Sequence, residues 1–172
     1  MDSWSPSLVR ALARIGFARG MNRQDLEALA EFGEMCSFEA DELLMSSGQA
    51  SAMYLVVEGA VEVVARTDSG DRRLAVLGPG SVLGEMGLLR DAPAGAGVWT
   101  TGPTRCYRLD RWAYDQLVEH HPATACRLTA AIARALAERL DRMNLWVVGL
   151  LDDGTAAPAA TLRDKLPGEW TL

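Results

Sequence analysis

A close series of short β-branched segments, each ended by glycine, limits this chain more than any other feature. Met53-Tyr54-Leu55-Val56-Val57 and Ala60-Val61-Glu62-Val63-Val64 are split only by Glu58-Gly59. Arg72-Arg73-Leu74-Ala75-Val76-Leu77 follows the turn sequence Asp68-Ser69-Gly70, and Gly78-Pro79-Gly80 separates it from Ser81-Val82-Leu83. After a loop rich in glycine and alanine come Val98-Trp99-Thr100 and Arg105-Cys106-Tyr107-Arg108-Leu109, parted by Gly102-Pro103. Many short strands with glycine turns between them predict a β-roll or jelly-roll barrel within the stretch from Met35 to Leu109.

Helical spacing takes over on both sides. Leu8, Leu12 and Ile15, then Leu26, Leu29 and Phe32, predict two short helices. Gly16 and Gly20 interrupt between them, and Asn22 caps the second helix with Asp25 in its first turn. Asp110 caps a helix running to His120, with Trp112, Leu117 and Val118 as its buried positions. Pro122 fits the first turn of the next helix, and from Ala123 to about Val148 there is neither glycine nor proline. Leu128, Ile132, Leu136, Leu140, Met143 and Val147 fall four, four, four, three and four apart along it. Such a helix would be roughly 39 Å long, more than a small barrel needs to cover itself. The stripe therefore reads as half of a helix pair, with Leu128, Ile132, Leu136, Leu140 and Met143 at a homodimer interface. The other reading packs the stripe wholly on its own barrel.

The expected architecture is α+β. A helical segment (1–33) precedes a β-roll with its C-terminal helices (34–148), and a linker and tail follow (149–172). Asp152 to Ala160 has linker composition. Trp170 reads as an end that folds back, or as a docking peptide.

The 172 residues are 49% hydrophobic and 23% charged, enough apolar surface for one well-formed core and too little length for two large domains. A net charge of −6 argues against a nucleic-acid partner, which needs a dense basic surface. No apolar run nears the roughly 20 residues that span a bilayer, and residues 1–10 lack a secretory pattern. Cys36, Cys106 and Cys126 are odd in number and show no CxxC spacing, so a reduced, cytoplasmic chain is expected, with Cys106 and Cys126 as small buried hydrophobes and no special role for Cys36. His120 and His121 are the only histidines and adjoin each other. Neighbours in a helix face different sides, so neither a cupin-type metal centre nor a catalytic triad can be nominated. The chain does not read as an enzyme.

Helices, then a β-roll, then a short and a long helix is an order that resembles the cyclic-nucleotide-binding domain, across roughly Leu12 to Val148. Met53 to Val63 resembles that family's strand-Gly-strand hairpin. Leu77-Gly78-Pro79-Gly80-Ser81-Val82-Leu83-Gly84-Glu85-Met86-Gly87-Leu88-Leu89 resembles its approach to the phosphate cassette. The resemblance implies that Gly84 lets the backbone come close to a ligand and that Glu85 receives the ribose 2′-hydroxyl. It also implies that N–H groups after Glu85, beside Leu83 and Met86, cradle the phosphate, and that Val63 and Leu74 form an apolar wall. Glu85 has a second reading, in which it caps its own short helix and holds the loop.

One departure matters. Where the kinase-type cassette reads Pro-Arg-Ala-Ala-Thr-Val, this chain reads Pro93-Ala94-Gly95-Ala96-Gly97-Val98. The phosphate arginine is replaced by Ala94 and the hydroxyl residue by Gly97, leaving Gly95 and Ala96 between them. Removing one partner of a buried charge pair costs about 2–5 kcal/mol, or about 30- to 4,000-fold in affinity. Tight binding of cAMP or cGMP in the usual mode is therefore not expected. Arg90 is the nearest substitute cation, while Arg66, Arg72, Arg73 and Arg105 sit at strand ends where solvated roles are expected. The bare loop 92–97 also leaves room for a cyclic dinucleotide.

Two functions follow. The first is a regulatory module that senses a nucleotide-type ligand and signals through a dimerising helix to a partner protein. The second is a ligand-free scaffold for protein assembly. No helix-turn-helix follows Val148, so a transcription factor of the catabolite-activator type is not expected.

Overall fold

The computed structural model describes residues 6–48, 52–68, 70–90 and 95–152. The chain forms two compact units, Met1–Ala135 and Leu136–Leu172.

In the first unit, α1 (Pro6–Ala13), a short 3-10 turn (Gly16–Ala18) and α2 (Arg23–Phe32) precede the strands. Asn22 and Asp25 close a capping box at the start of α2. The Asn22 side chain accepts from the Asp25 N–H at 3.0 Å, and Asp25 Oδ2 accepts from the Asn22 N–H at 2.8 Å. The other oxygen, Oδ1, accepts from Thr124 Oγ1 and from Arg127 Nη1, each at 2.8 Å. One buried carboxylate thus starts α2 and ties it to the helix that contains Thr124 and Arg127. Burial pushes this carboxyl up. The Asn22 and Thr124 hydrogen bonds and the Arg127 guanidinium outweigh that and hold it below its ordinary value of 3.8.

Eight strands among the described residues form two antiparallel sheets. They are β1 (Glu34–Phe38), β2 (Leu43–Met45), β3 (Ala52–Glu58), β4 (Val61–Thr67), β5 (Gly70–Leu77), β6 (Val82–Leu83), β7 (Gly97–Thr100) and β8 (Thr104–Asp110). One sheet runs β1-β8-β3-β6 and the other β2-β7-β4-β5. Val56, Leu83 and Cys106 from the first sheet meet Leu44, Val61 and Val98 from the second in one buried cluster. This is the expected α+β β-roll. Gly59 makes the β3–β4 corner at φ +81°, and a Cβ there would collide with the Pro103 carbonyl, so the Glu58-Gly59 break tolerates no other residue.

The roll leads through α3 (Glu85–Arg90) to α4 (Arg111–His120) and α5 (Pro122–Asp152). Asp110 caps α4, accepting from the Ala113 N–H at 2.9 Å. Ala113 and Leu117 carry the buried stripe of α4, while Trp112 is 70% and Val118 45% exposed. These two were expected inside. Each lies one residue, about 100° around the helix, from the narrow i, i+4 contact that α4 makes. Cys126 is exposed for the same reason, beside the buried Ala125 and close to Leu128.

The long helix also needs a correction. Leu128 and Ile132 are fully buried within the first unit, so they belong to the chain's own core and are closed to a second copy. In the second unit, taken by itself, Leu136 is half-buried and Leu140 and Met143 are exposed. The expected linker and Trp170 lie outside the described residues.

Candidate functional site

The candidate site begins where β6 meets β3. Tyr54 pairs with Leu83 and Leu55 with Val82, which brings the chain tightly against β3. Gly84 then turns it at φ +71° into α3. A Cβ at this position would overlap the Ala52 carbonyl and crowd Met45 Sδ. Glycine is therefore required twice over, by its left-handed backbone and by the approach of another strand.

The six residues of α3 divide into two faces. Glu85 and Leu88 are buried, 2% and 1% exposed, whereas Met86 and Arg90 face solvent. The Leu88 N–H donates to the Gly84 carbonyl at 3.1 Å and starts the helix. Glu85 is already engaged within the chain, and no buried side-chain nitrogen or oxygen among the described residues lacks a hydrogen-bond partner. At the other end of α3, Arg111 Nη1 donates to the Leu88 carbonyl at 2.9 Å while its Nε holds Asp115 at 3.2 Å.

The structure gathers the sequence-derived residues unequally. Leu83 is buried in the core, and Val63 packs half-buried against it. The β4–β5 register runs from Val63↔Ala75 to Val64↔Arg73, so Leu74 is the extra residue of a β-bulge, and it is 62% exposed. Gly95 is exposed and Ala96 half-buried. Ala94 and the rest of 91–94 lie outside the described residues. Arg66, Arg73 and Arg105 form surface ion pairs with Asp71, Glu62 and Glu58 at 3.6, 3.8 and 3.3 Å, which suits the solvated roles expected of them. Arg90 makes no ion pair with any described residue.

Three relations were missed in the sequence. A Cβ on Gly97 would run into the indole of Trp99. The ring folds back along β7 over its i−2 neighbour and fills the space that a hydroxyl residue would need. The signal was a glycine two residues before a tryptophan in one strand, positions that share a face. Second, the β1–β8 register sets Cys36 opposite Cys106. Burial, with a contribution from Cys36, pushes the Cys106 thiol up to about 12, and burial with the Glu34 charge raises Cys36. Both thiols stay protonated at neutral pH and are poor nucleophiles. Third, Phe32 stacks on His120 at 6.3 Å and meets His121 edge-on at 5.8 Å, so the histidine pair packs a helix junction. Among the described residues no group of three or more His, Cys, Asp or Glu could hold a metal ion, and no helix is long and apolar enough to cross a membrane.

Comparison with known proteins places this geometry. Residues 35–121 match the family model described as "Cyclic nucleotide-binding domain". The cAMP-dependent protein kinase regulatory subunit of Dictyostelium discoideum is 31% identical over 111 residues, 62% of this chain and 34% of that protein. The catabolite activator protein of Thermus thermophilus superposes with a TM-score of 0.62 at 28% identity, over 76% of this chain and 62% of that one. A cyclic nucleotide-binding domain from Methylobacillus flagellatus superposes with a TM-score of 0.73 over 95% of this chain and 85% of its own, and at 19% identity it shows the fold alone. The chain spans between 34% and 62% of the length of the curated relatives it matches.

Proposed function

The chain belongs to the cyclic nucleotide-binding domain family, and on that premise we propose that it is a regulatory module, not an enzyme, that takes up a nucleotide-type ligand at the Gly84–Glu85 corner. The observation that carries this reading is Gly84 itself. It is held left-handed against β3 and sets a carboxylate at the head of a short helix whose outer face, Met86 and Arg90, is open. The bulged Leu74 offers exposed apolar surface on β5. With alanine at position 94, Arg90 is the cation left to meet a phosphate. The ligand class is a cyclic mononucleotide held weakly or a cyclic dinucleotide, and no metal takes part.

Output in this reading runs through α5. Leu140, Met143 and Trp146 are 51%, 57% and 67% exposed, and with Leu136 they supply an apolar stripe for a second copy of the chain. A partner protein would receive the signal. If the chain is dimeric, Leu140→Glu with Met143→Glu is expected to halve its sedimentation mass, and an unchanged dimer would refute pairing through this stripe.

A second reading has its own support. Trp99 closes over Gly97, and Glu85 is satisfied within the chain. Both features suit a ligand-free scaffold for protein assembly.

Isothermal titration with cAMP, cGMP and cyclic di-GMP separates the two. Saturable binding below about 50 µM, or about −6 kcal/mol, supports the sensor, and silence with all three supports the scaffold. Ala94→Arg is expected to raise cAMP or cGMP affinity at least about tenfold. No gain would mean that the corner is not a phosphate site.

A further inference from the structure

A second site lies in the first unit, away from the Gly84–Glu85 corner and sharing no residue with it. An open cavity of about 470 Å³ is lined by α1 and the turn after it, the end of β3, the Pro79-Gly80 turn and β8. That volume falls within the range of small-molecule sites. Three arginines line it, Arg10, Arg14 and Arg105, against one acidic residue, Glu58. Glu58 engages Arg105 through both oxygens, at 3.3 and 3.4 Å. The Arg10 and Arg14 side chains make no hydrogen bond or ion pair with any described residue.

This concentration of positive charge stands out in a chain whose net charge is −6. A cation in the last turn of a helix is favoured by the helix dipole, which accounts for Arg10. The same dipole favours Arg14, one residue past α1, but it does not account for a third arginine brought from β8 to the same cavity. Like charges four residues apart repel when nothing lies between them, so the arrangement is suited to an anion that sits among them. Ile15 and Val57 supply apolar wall beside the charges.

We propose that this cavity binds a small phosphorylated metabolite, with its phosphate bridging Arg10 and Arg14 and competing with Glu58 for Arg105. Guanidinium groups pair with phosphate oxygens in forked, charge-assisted hydrogen bonds. The inference is independent of what binds at Gly84–Glu85.

The test is isothermal titration of the full chain, in phosphate-free buffer, with inorganic pyrophosphate, AMP and succinate. Pyrophosphate and AMP are expected to bind saturably, and Arg10→Ala with Arg14→Ala to weaken both at least about tenfold. Both arginines are exposed, so the double variant keeps its core. Glu58→Gln is expected to tighten binding about threefold, an effect that a purely structural arginine cluster would not give. No saturation by either phosphate compound up to about 10 mM, or equal binding by the double variant, overturns the site. Succinate binding as tightly as pyrophosphate overturns the phosphate assignment.

Discussion

Strands β3 and β5 are nearly equal in length, seven and eight residues, and both are rich in aliphatic side chains, yet they serve opposite ends. β3 lies between β8 and β6 and buries Ala52, Met53, Leu55 and Val56 to 3% exposure or less. β5 lies at the edge of the other sheet and leaves Leu74 62% and Val76 55% exposed. Position in the sheet, not strand propensity, decides what a leucine or valine contributes. Burying Met53, Leu55 and Val56 is worth about 1.5–3 kcal/mol each, so β3 carries stability. β5 is left free to present apolar surface, with Asp71, Arg72 and Arg73 keeping that edge from pairing with other chains.

Substitutions can break or sharpen that contrast. Met53→Ala on β3 should cost about 2–5 kcal/mol in urea unfolding, and a loss under about 1 kcal/mol would remove the distinction. Asp25→Asn asks whether the helical layer leans on this buried carboxylate as the roll leans on β3. It should cost about 1–2 kcal/mol at neutral pH, since Arg127 is half solvated. Because the folded carboxyl titrates below 3.8, its contribution is complete above that value and is lost as pH falls through the lower folded value. The gap in melting temperature between the wild type and Asp25→Asn should therefore narrow as pH falls below 3.8. A gap that stays constant as the pH is lowered further would contradict the assignment.

Tyr107→Phe is milder although the residue is buried on β8. Its hydroxyl donates to the Leu29 carbonyl at 2.8 Å, but that oxygen also accepts the Gly33 N–H at 2.9 Å. The carbonyl keeps one partner, and a loss of about 1 kcal/mol is expected in the same unfolding measurement. Leu74→Ala should be the smallest, within about 0.5 kcal/mol. A cost near that of Met53→Ala would show that β5 is covered in solution.

The sequence made the glycine-turned strands legible because Gly59, Gly70 and Gly80 each hold a positive φ that glycine supplies freely. It hid β1 and β2. Met35-Cys36-Ser37-Phe38 and Leu43-Leu44-Met45 lack a β-branched pattern, and they become strands by pairing with β8 and β7, far along the chain. The stripe on α5 was legible as a face, but its periodicity could not tell which part turns inward. Leu128 and Ile132 proved to be core, and Leu140 and Met143 exposed. At the site, Gly84 and Glu85 were found through resemblance to a family. The closure of Trp99 over Gly97 was overlooked because the departure was read as a loss of side chains, when a neighbour had filled the space. Arg10 and Arg14 escaped notice as neighbours of Arg105 because they come from α1 and the turn after it, whereas Arg105 comes from β8, far along the chain.

The Arg111 guanidinium grips the end of α3 at Leu88 with one arm and its own helix at Asp115 with the other, which makes it a latch between α3 and α4. A hydrogen bond from a charged group is worth about 1.5–3 kcal/mol, the same size as typical coupling energies between distant sites. Any event that tilts α3 must therefore carry the first turn of α4 with it or spring this clasp.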